Sequence, residues 1–166
     1  MDSPTMIRTT QALGLTTALI SSGVSFCAAG LCIPPILPLP ISESSRILAS
    51  LYHSGGKLVV PLTITSAVCN GVAGYLVPQA WREYTVAAIL ALSIPIYTRV
   101  WMMPGINKLL RVSQMDGSAI QGVRREHVLQ LLQEWASQTY IRGALALGAG
   151  LLGVWVLART QAVPEA

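Results

Sequence analysis

The stretch PIYTRVWMMPGIN, from Pro95 to Asn107, ends a long apolar run that begins near Tyr84. The run is long enough to cross a membrane, yet it contains Arg99. A charged side chain near hydrocarbon depth is costly, so it usually faces a protein interior and has a function there. Pro95 removes a backbone hydrogen bond and should kink the helix, and Pro104–Gly105 should end it. The stretch therefore predicts one wall of an intramembrane pocket.

The composition of the whole chain indicates a multi-pass membrane protein. Of its 166 residues, 52% are hydrophobic and 11% are charged, whereas about a quarter of a soluble domain is charged. The mean hydropathy is +0.57. We predict an all-α membrane protein, a four-transmembrane-helix bundle formed by a single integral membrane domain (residues 1–166), with one extra amphipathic juxtamembrane helix over residues 123–134. The predicted spans are residues 8–31, 58–77, 84–103 and 138–157.

The net charge of +4 indicates a membrane topology and no nucleic-acid partner, because the cations form no stripe or aromatic-interleaved patch. Four spans place both termini on one side of the lipid bilayer. The cations divide into Arg8, Arg82 and Arg159 on that side, and Arg46, Lys57, Lys108, Arg111, Arg124 and Arg125 in the loops after spans one and three. The positive-inside rule then predicts that those two loops are cytosolic and that the termini are not.

Local patterns add further expectations. The proline-rich stretch Ile33–Pro40 should form a stiff interfacial loop, and residues 115–122 should form a polar loop. Asn70 should form a hydrogen bond across helices, and the small-residue pair Ala67 and Gly71 should suit close packing of a neighbouring helix. Span four carries three pairs of the same spacing, Ala144/Gly148, Ala146/Gly150 and Ala149/Gly153. A cleaved signal peptide is the rival interpretation of span one.

The cysteines and histidines predict no metal centre. Cys27, Cys32 and Cys69 contain no CxxC pair, and we interpret them as free thiols that face lipid or core. A redox pair formed by Cys27 and Cys32 is the alternative. Only two histidines, His53 and His127, are present, which is too few for a typical ligand set.

Polar and aromatic residues from three spans are predicted to meet at one level of the bundle, near the cytosolic interface. They are Tyr52, His53 and Lys57 at the start of span two, Tyr97, Arg99, Trp101 and Asn107 toward the end of span three, and Trp135, Thr139 and Arg142 at the start of span four. The last three share a helix face at i, i+4 and i+7. In the alternative interpretation the cations snorkel to headgroups and Trp135 anchors the interface.

This set of residues limits the chemistry. No dinucleotide fingerprint, P-loop or nucleophile elbow is present. One candidate base, His53, lies near several cations, which suits removing an acidic C–H proton and holding the enolate or phenolate that results. A flat apolar substrate could enter from the bilayer and stack on the rings.

Three segments at these positions resemble the DUF1772 family of small four-helix membrane proteins, whose characterised fungal members are called anthrone oxygenases. The segments are LYHSGGKLVVP (51–61), WMMPGINKLL (101–110) and LLQEWASQTYIRGAL (131–145), and the resemblance covers about residues 23–157. The matching residues are Leu51, Tyr52, Gly55, Pro61, Met102, Pro104, Asn107, Trp135 and Arg142. The chain departs from the family pattern at Thr139, where asparagine is usual, and at Gly105–Ile106, which replaces a tighter spacing with threonine.

The resemblance implies a monooxygenase that takes an anthrone-type aromatic polyketide to an anthraquinone with molecular oxygen, in an endomembrane of a fungal-type cell. It implies no flavin and no metal, with O₂ as co-substrate. For that reaction, we assign His53 as the base and Arg99, Asn107 and Arg142 as groups that stabilise the anion. Tyr52, Lys57, Tyr97, Trp101, Trp135 and Thr139 would contact the substrate.

Three rival functions stay open. The protein could be a non-enzymatic scaffold or carrier in a polyketide pathway, with the glycine-rich fourth span as a homo-oligomer interface. It could catalyse a related oxidation of another phenolic scaffold, which the Thr139 departure favours. A thiol oxidoreductase is the third rival, and it would need Cys27 and Cys32.

Overall fold

The computed structural model describes residues 3–115, 120 and 122–161, and these residues form helices joined by short turns, without strands. The helices are α1 (Ser3–Cys27), α2 (Ile33–Ile36), α3 (Ile41–Leu76), α4 (Trp81–Tyr97), α5 (Met103–Ser113) and α6 (Arg125–Gln161). A π turn, Ala28–Cys32, joins α1 to α2, and another, Thr98–Met102, joins α4 to α5. The predicted polar loop at 115–122 lies largely outside the described residues.

Four continuous helical segments are long and apolar enough to cross a membrane, namely Pro4–Ile36, Ile41–Leu76, Pro78–Ser113 and Arg125–Arg159. The predicted fold class is therefore confirmed, and the chain is a multi-pass membrane protein. Each segment extends beyond the predicted span, mostly at the end that carries the loops after spans one and three. The side of the membrane on which the termini lie stays a prediction.

The long helices form a closed ring. Helix α1 packs against α3 and α6, and α4 packs against the same two helices from the opposite corner. We call the end formed by residues 24–59, 94–113 and 125–142 the cap end, and the end formed by residues 3–20, 64–91 and 146–161 the closed end.

Small residues hold the closed end together. Ala18, Ala87 and Ala149 form a buried cluster at the centre of the ring. A Cβ added at Gly150 would lie 2.6 Å from Cδ2 of Leu19, so α1 and α6 are as close as a glycine permits. Gly150 thus lets two helix backbones approach. The close packing expected at Gly71 is not found, because Gly71 is exposed and a Cβ there would meet no atom within 4 Å.

The interhelical hydrogen bond predicted for Asn70 is made by its neighbour instead. The amide of Asn70 donates to the carbonyl oxygen of Ser66 in its own helix, at 2.8 Å. The hydroxyl of Ser66 then donates across to the carbonyl oxygen of Gly14 in α1, at 3.0 Å. Gly14 brings α1 so close that the short serine side chain bridges the gap, and the longer asparagine folds back.

The helices are longer than the bilayer is thick. Helix α3 has 36 residues, which at 1.5 Å per residue is about 54 Å, against about 30 Å of hydrocarbon. The exposed rings of Trp81 and Trp101 lie about 30 Å apart along their span, as interface anchors do. The cap end therefore projects from the membrane, and Arg99 lies just inside its boundary.

A second hydrophobic core fills the cap end. Its buried side chains come from α2, the start of α3, the face of amphipathic α5 and the first turns of α6. They include Ile33, Ile36, Leu48, Ile106, Leu109, Val112, Val128, Leu131 and Leu132. The predicted juxtamembrane helix at 123–134 is continuous with the fourth span and packs on α5.

The prediction that Pro104–Gly105 ends the third span is wrong, and the Ile33–Pro40 stretch is helical over Ile33–Ile36. In both places a π turn ends two residues before the proline, which then occupies the first turn of the next helix. A proline is tolerated there because its missing N–H needs no partner. The extra residue of a π turn thus lets the helix continue through a sequence that usually stops one.

Candidate functional site

A cavity of about 190 Å³ lies inside the cap end, and all the long helices contribute to its wall. Most of the lining is apolar. The lining residues are Val24, Ala28, Leu51, Tyr52, Gly55, Gly56, Val59, Val60, Thr63, Ile94, Pro95, Thr98, Arg99, Met103, Trp135 and Arg142. Of the predicted site residues, Tyr52, Arg99, Trp135 and Arg142 line this cavity.

The kinked third span supplies one wall. Pro95 lies inside α4, and the π turn follows from Thr98 to Met102. Ile94, Pro95, Thr98 and Arg99 face the cavity together, because positions one turn apart share a face. Arg99 is exposed, so its guanidinium lies at the mouth of the cavity. The predicted role of Pro95 and Arg99 as parts of one pocket wall agrees with this geometry.

Two adjacent glycines in α3 make room for the cavity. A Cβ added at Gly55 or at Gly56 would meet no atom within 4 Å. Glycine in a helix interior is destabilising by roughly 0.5–1 kcal/mol relative to alanine. Nothing in the packing requires the pair, so the open space beside it is what the two glycines provide.

One face of α6, which we call its polar stripe, carries three buried hydrogen-bond donors that have no acceptor. Buried atoms without a partner among the described residues include Nε1 of Trp135, Oγ1 of Thr139 and Nε of Arg142. Trp135 is 5% exposed and Thr139 is fully buried. A buried donor without a partner costs about 1–3 kcal/mol. The three are the residues predicted to share a face, and an acceptor-rich ligand would satisfy them.

Tyr52 faces this stripe from α3. It is half-buried, and its hydroxyl donates to Sδ of Met103 at 3.4 Å. Its phenol interacts electrostatically with the Arg142 guanidinium on α6. Its ring also meets the edge of the His53 ring, with centroids 5.5 Å apart and an interplanar angle of 77°.

The structure does not bring His53 or Lys57 into the cavity. Both side chains are exposed and neither is among the lining residues. Nδ1 of His53 lies 2.7 Å from the carbonyl oxygen of Ala49 in the preceding turn. At i, i+4 the two residues share a face of α3, as the sequence predicts, but that face points away from the other helices. The assignment of His53 as base stays a prediction that this geometry does not support.

Tyr97, Trp101 and Asn107 also lie outside the cavity. The rings of Tyr97 and Trp101 stack on each other, with centroids 5.9 Å apart and an interplanar angle of 17°, and Trp101 is 64% exposed. Asn107 is exposed on α5. Trp101 lines a second cavity of about 190 Å³ between α5 and α6, and Trp135 is the wall that both cavities share.

The cavity is electropositive. Arg99 and Arg142 both line it, and among the described residues neither has a carboxylate partner. No described aspartate or glutamate lines it. The two cations thus line one cavity, Arg99 from the third span and Arg142 from α6, which is the arrangement that an anion-binding pocket needs.

Metal and thiol chemistry find no support at this site. Within residues 3–115, 120 and 122–161, no group of three His, Cys, Asp or Glu residues could hold a metal ion. Cys27, Cys32 and Cys69 are free and none lines the cavity. The expectations of no metal and no flavin stay predictions.

A comparison with protein families decides the kinship of the chain. The profile of the anthrone oxygenase family matches residues 48–152, which is more than half of the sequence. The protein belongs to the anthrone oxygenase family. No curated protein and no solved structure gave a significant match.

The anthrone oxygenase match encloses nearly all of the cavity. Of the lining residues only Val24 and Ala28, both from the first span, lie before its first residue. These two were missed by the sequence analysis, which placed the pocket among spans two, three and four. Small apolar residues on a lipid-spanning helix carry no signal that distinguishes a pocket wall from a packing face.

The paired glycines were the other omission. Gly55 was noted only as a family match, and neither glycine was predicted to line the site. A signal was present, because two consecutive glycines inside an otherwise helical segment are costly and call for a reason. The structure supplies that reason as open space.

Proposed function

We propose that this member of the anthrone oxygenase family is a monooxygenase that oxidises an anthrone-type aromatic polyketide to an anthraquinone with O₂ and without a cofactor. The observation that carries the proposal is the cavity that Arg99, Trp135 and Arg142 line together, with unpartnered donors on Trp135 and Arg142. Such a cavity favours a flat apolar molecule whose oxygen atoms become negatively charged during the reaction.

The chemistry of an anthrone fits that arrangement. Its reactive CH₂ lies between two aromatic rings, opposite a conjugated carbonyl. Loss of one proton leaves an electron pair that is delocalised onto the carbonyl oxygen. A guanidinium beside that oxygen stabilises the anion, and the apolar walls exclude water and strengthen the interaction. The carbanion can then react directly with O₂.

The overall step balances without a cofactor. One O₂ adds to the CH₂ carbon, and the resulting hydroperoxide loses water as the second C–H proton leaves. The carbon becomes a ketone, one oxygen atom of O₂ stays in the product, and the other leaves as water. The protein has to hold the ring, stabilise the charge and accept a proton.

Isotope-labelled oxygen tests the proposal. Membranes that contain the protein would be incubated with anthrone under ¹⁸O₂ and without oxygen, against membranes without the protein that report spontaneous oxidation. We expect one ¹⁸O atom per anthraquinone formed above that background. Binding of anthrone without any oxygen-dependent gain would support the carrier function instead, and incorporation into a ring position would support a related oxidation.

Charge removal sharpens the same test. We expect Arg99→Ala and Arg142→Ala each to lower the rate on the order of a hundredfold, the usual cost of losing one preorganised group that stabilises an oxyanion. Arg46→Ala is the matched control, because Arg46 is an exposed arginine of the cap end that lines neither cavity. Equal activity in all three variants would contradict the role of the cavity.

The proposed orientation can be measured separately. The positive-inside rule supports a cytosolic cap end, and we propose that the termini lie on the other side of an endomembrane. A terminal tag should then be protected from protease in sealed vesicles whose cytosolic face is outward. Digestion of the tag in intact vesicles would reverse the orientation and leave the chemistry of the cavity unchanged.

A further inference from the structure

We propose that the phenolate of Tyr52 is the base that takes the C–H proton from the substrate. The inference rests on the proposed function and identifies the base, which the proposed function does not specify. It begins from position, because Tyr52 lines the cavity together with Trp135 and Arg142, and its hydroxyl donates to Met103, which lines it too.

The hydroxyl of Tyr52 is free to turn toward a substrate. Its one described hydrogen bond is donated to the thioether of Met103, at 3.4 Å. A thioether is a weak acceptor, so a substrate atom can replace it at little cost. The phenol is also only half-buried, which allows its proton to exchange with solvent between turnovers.

The charged groups near Tyr52 in the cavity are both arginines. Arg142 faces it from α6, and Arg99 lines the same cavity from the third span. From α5 it meets the neutral side chain of Met103, and from its own helix the edge of the His53 ring. No described carboxylate lines the cavity, so the two arginines are the charged groups that line it together with Tyr52.

The other candidates for a base are held elsewhere. Nδ1 of His53 is within hydrogen-bond distance of the Ala49 carbonyl oxygen, and the side chain is exposed. The hydroxyls of Thr63 and Thr98, the two threonines that line the cavity, donate to carbonyl oxygens one turn earlier in their own helices, those of Val59 and Ile94. An aliphatic hydroxyl is also a far weaker acid than a phenol. Tyr52 is thus the lining residue whose hydroxyl is phenolic and is not bound to a backbone carbonyl oxygen.

The step is a simple proton transfer. The Tyr52 phenolate oxygen forms an O–H bond as the substrate C–H bond breaks, and the electron pair stays on the substrate, where it spreads to the carbonyl oxygen. Arg142 then neutralises that oxygen in place of the phenolate. Oxygen is the electron acceptor in the next step, and the proton of Tyr52 is available to the peroxide that forms.

Removal of the phenol oxygen is the first test. We expect Tyr52→Phe to lower kcat by about a hundredfold or more, the usual contribution of a general base, while KM changes little because the ring remains. Tyr75→Phe is the matched control, since Tyr75 is 85% exposed at the closed end. Equal melting temperatures of the two variants in detergent would exclude loss of fold as the cause.

The acidity of residue 52 provides a test that a structural role would not pass. Fluorotyrosine placed at position 52 ionises at lower pH than tyrosine. The activity should rise with pH as the phenol ionises, so this rise should move to lower pH by the difference in phenol pKa. If the pH at which the activity rises is the same with fluorotyrosine, the proposal is overturned. The same holds if that pH changes only with the acidity of differently substituted anthrones.

The outcomes separate this inference from the proposed function. If the wild-type protein does not accelerate oxygen uptake with anthrone, the proposed function fails. If the wild type is active and Tyr52→Phe is equally active, only the inference about Tyr52 fails. Loss of activity in His53→Ala together with full activity in Tyr52→Phe would return the base to His53.

Discussion

At the closed end of the bundle, some glycines lie against a neighbouring helix and let it approach, whereas at the cap end Gly55 and Gly56 face open space. A Cβ at Gly150 would lie 2.6 Å from Leu19, and one at Gly74 would lie 3.2 Å from Cβ of Tyr84. A Cβ at Gly55 or Gly56 would touch nothing within 4 Å. The same residue type thus provides close packing in one region and a cavity in the other.

The difference divides stability from function. The closed end gains from dispersion contacts and from interhelical hydrogen bonds such as that of Ser66 to Gly14, at 3.0 Å. The cap end gives up packing volume and leaves donors of Trp135 and Arg142 without partners, both of which are costs to the empty protein. Substitutions at the two ends should therefore affect different measurements.

The largest effect is expected for Gly150→Leu. A side chain there overlaps that of Leu19, so Leu19 must move or α1 and α6 must separate. Overpacking of a close-packed core typically costs 1–3 kcal/mol, and we expect about 3 kcal/mol here because Cγ of Leu19 is also only 2.9 Å from the new Cβ. The melting temperature in detergent micelles would measure it.

Gly71→Leu is the control for this substitution. Gly71 is an exposed helical glycine of the closed end, and a Cβ there meets nothing within 4 Å. It should keep the melting temperature of the wild type. An equal loss in Gly71→Leu and Gly150→Leu would mean that leucine at any glycine of the spans is harmful, and the proposed packing role of Gly150 would fall.

The second effect, Gly56→Leu, should appear in activity and leave stability intact. The new side chain enters the cavity and meets no protein atom at its Cβ, and replacing a helical glycine gains about 0.5–1 kcal/mol. We expect unchanged or higher melting temperature and at least about a tenfold rise in KM for anthrone, since one misplaced methylene in an apolar pocket costs about 1 kcal/mol or more. Unchanged KM would show that the substrate does not occupy this space.

Much of the fold followed from the sequence because hydropathy and length constrain a membrane helix strongly. The four spans and the amphipathic start of α6 were predicted with their order and orientation relative to one another. The helix through Pro104 was not. A proline can end a helix or can follow a π turn that lets the helix continue. Here the continued helix packs Ile106 and Leu109 into the hydrophobic core of the cap end, and the local sequence does not show that packing.

The candidate site was predicted in part for a similar reason. Helical spacing placed Trp135, Thr139 and Arg142 on one stripe, because that periodicity is local. Which side of α3 faces the bundle is a tertiary fact, and adjacent residues differ by about 100° around a helix. Tyr52 therefore lines the cavity while His53, one residue later, is exposed. The assignment of His53 as the base stays a prediction that kinetics must test.

The smallest effect compares two buried hydroxyls that have no partner, those of Thr139 at the cap end and Ser21 in α1. Thr139→Val and Ser21→Ala each remove a desolvated polar atom, so both should stabilise the empty protein by about 1 kcal/mol, seen as a higher melting temperature. Only Thr139 lies on the stripe of Trp135 and Arg142. If its hydroxyl meets a substrate oxygen, Thr139→Val alone should raise KM, by about fivefold, because one neutral hydrogen bond contributes about 1 kcal/mol. If KM rises equally in both variants, the cause is general repacking of the bundle. The polar contacts of α6 with the substrate would then be limited to Trp135 and Arg142.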